Sequence, residues 1–234
     1  DFKIKIASPK ISIMRFLQES DPEKTIKDLI LISKPKLNER TIFIYPEGIL
    51  PGVSLQNIQN YKDIISNHFS KNHIIVMGIN SYKNQNEFDE IYNSLAVFDN
   101  KLNVLFKYDK NNLVPFGEFL PFENFFSKFG LKKITQGYQS FSSGSKREVI
   151  NIFNKNFLPL ICYEIIYSGS LKKKSEDFDF ILNLSEDGWF GDSIGLDQHF
   201  SHSIFRAIEE GKYLIRSANN GRSAYINFNG EVLE

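Results

Sequence analysis

Cys162 follows the apolar run Phe157-Leu158-Pro159-Leu160-Ile161 and precedes Tyr163-Glu164. A thiolate at such a place can attack a carbonyl carbon and hold an acyl group as a thioester. A lone cysteine after an apolar strand is more often a buried small hydrophobe. Two features shift the weight. Strand ends are where open α/β sheets place reactive groups, and Glu164 is out of place in a purely apolar strand. Glu47, in Tyr45-Pro46-Glu47-Gly48, follows a second hydrophobic run. Exposed, it would be an ordinary turn carboxylate, and on this word alone that reading is favoured. Partly buried, its pKa would rise toward that of a general base for a thiol. Lys110 is by default solvated; beside a thiolate it would lower the thiol pKa and later stabilise an oxyanion. Glu118 is either a loop carboxylate or the partner that holds Lys110 in place.

Other motifs carry less chemistry. Asn183 to Ser193, with the single tryptophan Trp189, reads equally as loop packing or pocket lining. His199 and His202 lie i, i+3 on an expected helix. Neither a cysteine partner nor an HExxH word completes a zinc site, so capping or core hydrogen bonding is the expected role. A single cysteine excludes an intramolecular disulfide and any multi-cysteine metal site. With 28 basic and 28 acidic residues the chain offers no global field for nucleic acid.

The elements that must position these residues alternate along 234 residues, a length that suits one α/β domain. Strands are expected at Ile4–Ala7, Thr41–Tyr45, His73–Ile79, Tyr92–Phe98, Val104–Tyr108, Phe157–Cys162, Phe178–Leu184, Tyr213–Ser217 and Ser223–Phe228. Asp99-Asn100 marks a hairpin. Helices are expected at Glu23–Ile32, Ile58–Phe69 and His199–Glu210 from apolar spacing. Ser140–Ser145 reads as a loop and Lys172-Lys173-Lys174 as a solvated face. Pro115–Gly137, rich in phenylalanine and broken by Pro115, Gly117 and Pro121, fits a lid-like insertion that enters a lipid interface; core packing of the insertion is nearly as well supported.

Taken together, the chain order Glu47, Lys110, Cys162 resembles the nitrilase, or carbon–nitrogen hydrolase, superfamily, whose members use a Glu-Lys-Cys triad in that order. The words "KNNLVPFGEFLP" (110–121), "FSSG" (141–144), "ICYE" (161–164), "WFGDSIG" (189–195) and "RSANNG" (216–221) are similar to those of its apolipoprotein N-acyltransferase branch. So are Gln198-His199-Phe200 and Arg206-Ala207. The resemblance implies a four-layer α-β-β-α sandwich over residues 1–234. It also implies that Cys162 is nucleophile, Glu47 general base and Lys110 the oxyanion-side lysine, with Glu118, Glu164, Tyr163 and Asn93 in support. One departure is local. The family often carries a tryptophan shortly after the first strand, where this chain has only Phe16 as a stand-in.

The activity implied is ping-pong acyl transfer without metal or dissociable cofactor. A phospholipid donates an acyl chain to Cys162, and a diacylglyceryl-modified apolipoprotein accepts it on its N-terminal amine. The expected location is the bacterial inner (cytoplasmic) membrane, with this domain on the periplasmic side. Both chain ends are expected to be cut, with a membrane domain preceding Asp1 and further sequence following Asn229-Gly230. The alternative is a soluble carbon–nitrogen hydrolase, an amidase in which water replaces the amine; a third class is an inactive interaction domain.

Overall fold

The computed structural model describes residues 1–85, 88–119, 140–169, 171 and 177–233. Among the described residues, ten strands form two five-stranded sheets. The first holds β1 (Lys3–Ile6), β2 (Thr41–Ile44), β3 (His73–Gln85), β4 (Phe88–Phe98) and β5 (Val104–Asp109), side by side in that order. The second runs β10 (Ala224–Ile226), β9 (Tyr213–Asn219), β8 (Phe180–Glu186), β7 (Lys155–Ile161) and β6 (Ile150–Ile152). Parallel pairing joins β1, β2 and β3, and likewise β7, β8 and β9. Each sheet is completed by antiparallel strands.

Side-chain alternation builds the layers. Along β2, Ile42 and Ile44 face the second sheet, where they meet Phe157, Ile161, Leu182, Leu184 and Ile215. Phe43 and Tyr45 point the other way, toward Ile26, Leu29 and Ile30 of α1 (Pro22–Ser33) and Ile65 of α2 (Lys62–Ser66). Along β7, Leu158 and Leu160 face outward to Phe200 and Ala207 of α3 (Gly195–Glu210). The result is the expected α-β-β-α sandwich. Both faces of β2 and β7 are covered, so their sequences are unbroken apolar runs and not alternations.

Several boundaries differ from expectation. Ile58–Phe69 is not one helix: a 3₁₀ turn, Ile58–Tyr61, leads into the five-residue α2. β3 does not stop at Ile79, because polar residues beyond it pair with β4, Asn80 opposite Asn93 and Ser81 opposite Tyr92. β7 ends at Ile161, and Cys162 opens a 3₁₀ turn, Cys162–Ile166. α3 starts four residues before His199. The expected lid lies outside the described residues except for 115–119, and Lys172–Lys174 lie outside them too.

Candidate active site

β2, β5, β7 and β8 bring Glu47, Lys110, Cys162 and Glu186 together at or shortly after their C-terminal ends. Glu47 follows β2 through Tyr45-Pro46, in a turn that lies against β3. Gly78 permits this contact, since a Cβ there would sit 2.5 Å from the Glu47 Cα. Glu47 is buried, and each carboxylate oxygen has a donor. Asn93 Nδ2 donates to Oε1 at 2.7 Å, and the backbone N–H of Glu186, at the end of β8, donates to Oε2 at 2.8 Å. Burial raises the Glu47 pKa above the usual carboxylate range, and nearby Glu118 adds to it; Lys110, Asn93 and the Glu186 N–H oppose it.

Lys110 follows β5 and is 1% exposed. Its backbone is gripped on both sides: its N–H donates to Asn93 O, and its carbonyl accepts from Gly144 N–H, both at 2.8 Å. Gly144 is required by close approach, because a Cβ would fall 2.1 Å from Asp109 O. Lys110 Nζ donates to Glu118 at 2.9 Å and lies 3.8 Å from Glu47 Oε1. Burial disfavours the ammonium, but Glu118, Glu47 and the Cys162 sulfur outweigh it and raise the pKa. Lys110 is therefore a fixed positive charge.

Cys162 is 9% exposed and holds a left-handed backbone, φ +49°. A non-glycine residue in that region stores strain, and such residues cluster at functional sites. Burial pushes the thiol well above its ordinary pKa, as does the Glu47 charge; Lys110 and the Ser185 hydroxyl pull it down. A neutral thiol beside a buried carboxylate of raised pKa is arranged for proton transfer.

Glu47, Asn93, Lys110, Glu118, Cys162 and Tyr163 line one cavity of about 260 Å³. The expected site residues therefore converge, Glu164 excepted. Glu164 lies behind the wall, fully buried. It accepts from Tyr108 Oη at 2.6 Å, Asn111 N at 3.0 Å, Asn112 N at 3.1 Å, Arg147 at 3.1 Å and Ile161 N at 2.8 Å. One carboxylate thus ties the loop after Lys110 to the turn that carries Cys162. A wider cleft, about 660 Å³, lies between the β1 and β10 edges and contains none of these residues.

The cavity mouth is aromatic. Phe16 stacks on Trp189 with ring centroids 5.4 Å apart, and both line the cavity. Trp189 is half exposed, as are Met14 and Leu17 near Phe16 in sequence and Phe116 next to the lining residue Gly117; Ile194 is more exposed still. Among the described residues no group of three His, Cys, Asp or Glu side chains could hold a metal ion.

The model of the carbon–nitrogen hydrolase family matches residues 30–234. The chain belongs to this family. An apolipoprotein N-acyltransferase from Wigglesworthia glossinidia brevipalpis is 35% identical over 239 residues, covering 98% of this chain and 46% of the relative. The chain thus spans less than half of that protein. Among solved structures, a glutamine-dependent NAD+ synthetase from Acinetobacter baumannii superposes with TM-score 0.64 at 21% identity, over 99% of this chain and 42% of the other. A carbon–nitrogen hydrolase superfamily protein from Xanthomonas campestris gives 0.60 at 16% identity, over 92% and 80%. These likenesses place the fold within the carbon–nitrogen hydrolases.

The sequence assigned no role to Arg15, Glu186, Asn219 or Asn220, although Asn219 and Asn220 stand in the word 216–221. Arg15 donates to Glu186 Oε2 at 2.5 Å, and Asn219 and Asn220 donate to the same carboxylate at 2.7 and 3.1 Å. This cluster fixes Glu186, whose N–H holds Glu47. Arg15 and Glu186 are 171 residues apart, and no local pattern signals such a pair.

Proposed function

We propose that this domain is the catalytic part of a phospholipid:apolipoprotein N-acyltransferase. The reading rests on Glu47, Lys110 and Cys162 meeting in one buried cavity with an exposed aromatic mouth. Likeness to a protein named apolipoprotein N-acyltransferase along 98% of the chain favours acyl transfer over amide hydrolysis.

Glu47 takes the Cys162 thiol proton. The sulfur lone pair forms a bond to the ester carbon of the phospholipid, and the C=O π pair moves onto oxygen. Lys110 and the Tyr163 backbone N–H stabilise that oxyanion. The carbonyl re-forms, the C–O bond to the glycerol breaks, and the leaving oxygen receives the proton from Glu47. Lysophospholipid departs and a thioester remains. The α-amine of a diacylglyceryl-cysteine then forms a bond to the thioester carbon and loses a proton to Glu47; the carbonyl re-forms, the C–S bond breaks with its pair going to sulfur, and Glu47 returns the proton to the Cys162 sulfur. Asn93 and Glu118 orient Glu47 and Lys110, and Glu164 joins the two loops that bring them to Cys162.

The partners are a phospholipid donor, a diacylglyceryl-modified apolipoprotein and the bilayer. No helix among the described residues is long and apolar enough to cross a membrane. The exposed apolar side chains Met14, Leu17, Phe116 and Ile194, with Trp189 at the cavity mouth, suit contact with lipid. The relative's extra length accommodates a membrane domain, and the location proposed is the periplasmic side of the bacterial inner membrane. In the full-length protein, a phospholipid labelled in its sn-1 acyl chain should pass label to a diacylglyceryl-cysteine peptide. Release of ammonia from small amides, with no labelled peptide, would instead establish an amidase.

A further inference from the structure

Next to Cys162, outside the lining of the cavity, lies a buried polar cluster that the proposed chemistry leaves unused. His199 Nε2 is 3.3 Å from the Cys162 carbonyl oxygen. A carbonyl only accepts, so Nε2 carries the hydrogen. The other ring nitrogen sits 3.0 Å from Asp187 Oδ1 and 3.1 Å from Arg216 Nη2. Arg216 donates to both Asp187 oxygens at 2.9 Å and also to Asn183, and Ser185 donates to Asp187 Oδ1 at 2.7 Å. Asp187, His199 and Arg216 are each at most 3% exposed. The imidazole therefore has one orientation, fixed from β8, β9 and α3 together.

Peptide planarity gives this contact its consequence. In a trans peptide the carbonyl oxygen and the following N–H point in opposite directions, and the described chain has no cis bond. Holding the Cys162 oxygen toward His199 therefore drives the Tyr163 N–H the opposite way. Tyr163 is the second residue of the 3₁₀ turn, where opening N–H groups have no partner within the turn. Cys162 and Tyr163 line the cavity, whereas His199 lies outside its lining. Hydrogen bonding at the carbonyl also polarises the same peptide and strengthens its N–H as a donor.

We propose that His199 is a positioning residue for the oxyanion: through the Cys162 carbonyl it aims the Tyr163 N–H at the developing negative charge. This deepens the proposed function and rests on Cys162 being the nucleophile.

The test compares two reactions of one sulfur in the full-length protein. Acylation by a p-nitrophenyl ester passes through an oxyanion: the S–C bond forms, the π pair moves to oxygen, and collapse expels p-nitrophenolate with its bonding pair. Alkylation by iodoacetamide displaces iodide from carbon and develops no oxyanion. His199→Leu should slow acylation about 10²-fold, the loss expected for one oxyanion donor, and change alkylation less than about threefold. His199→Gln, whose amide reaches the same carbonyl, should recover part of the acylation rate. If His199→Leu does not fold, His199→Asn replaces it, its shorter amide falling short where Gln reaches. Parallel loss in both reactions, or undiminished acylation, would overturn the assignment. Failure of the wild-type protein to acylate at Cys162 would instead refute the nucleophile on which it rests.

Discussion

Asn93 places its amide nitrogen 2.7 Å from Glu47 Oε1, and the same nitrogen donates to Glu118 at 2.9 Å. One neutral donor thus separates a buried carboxylate from a partly buried one that would otherwise repel it. The Asn93 bond favours the charged form of Glu47 and holds its pKa down against burial. Asn93→Ala removes that support, so the Glu47 pKa should rise. A base works only when unprotonated, so the acid limb of the acylation profile should move to higher pH. An unshifted limb with a uniformly lower rate would show that Asn93 only fills space.

Glu47 has opposite effects on the reactivity of Cys162 in two assays. Its negative charge raises the thiol pKa, yet it is the group proposed to remove the thiol proton. Glu47→Gln should therefore lower the pH midpoint for direct alkylation of Cys162, because Lys110 remains and the neighbouring anion is gone. The same change should cut acyl transfer by 10²-fold or more. Iodoacetamide rates across pH and acyl transfer at neutral pH supply both readings. A midpoint moving upward would contradict the charge arrangement.

Asp187 should govern part of the acid stability. Burial works against its charge, but His199 and Arg216 prevail and hold its pKa at about 2, against an ordinary 3.8. A lowered folded-state pKa contributes stability that is present above pH 4 and fades as pH falls toward 2. Urea unfolding of Asp187→Asn and wild type should differ by about 2 kcal/mol less at pH 2.5 than at pH 6. A gap independent of pH would remove Asp187 from the charged network.

Trp189 is the only tryptophan of these 234 residues and lies half exposed at the cavity mouth, so the intrinsic fluorescence of this domain alone reads that position. Vesicles of phosphatidylethanolamine with phosphatidylglycerol should move its emission to the blue as the rim enters lipid. Unchanged emission would leave the apolar rim without a lipid role.

Much of this site was legible because its residues stand beside elements that sequence marks strongly. Thr41–Tyr45 and Phe157–Ile161 are runs covered on both faces, and Glu47 and Cys162 come within two residues of their ends. Lys110 was visible only through its surrounding words, since nothing local separates a buried lysine from a solvated one. β6 was missed because three residues carry no period. The left-handed turn at Cys162 gave no signal, as neither glycine nor asparagine stands there. His199 was expected to bond within the core, and does, but its grip on the Cys162 carbonyl comes from α3 packing against the 3₁₀ turn. The Arg15–Glu186 pair likewise depends on two sheets meeting.

In the proposed reaction Cys162 carries the acyl group between donor and acceptor. Intact mass and peptide mapping of full-length protein incubated with phosphatidylethanolamine test it directly. One acyl chain should appear on Cys162 as a hydroxylamine-sensitive thioester, disappear when a diacylglyceryl-cysteine peptide is added, and be absent from Cys162→Ala. An acyl group on another residue, or peptide acylation that survives Cys162→Ala, would contradict the account.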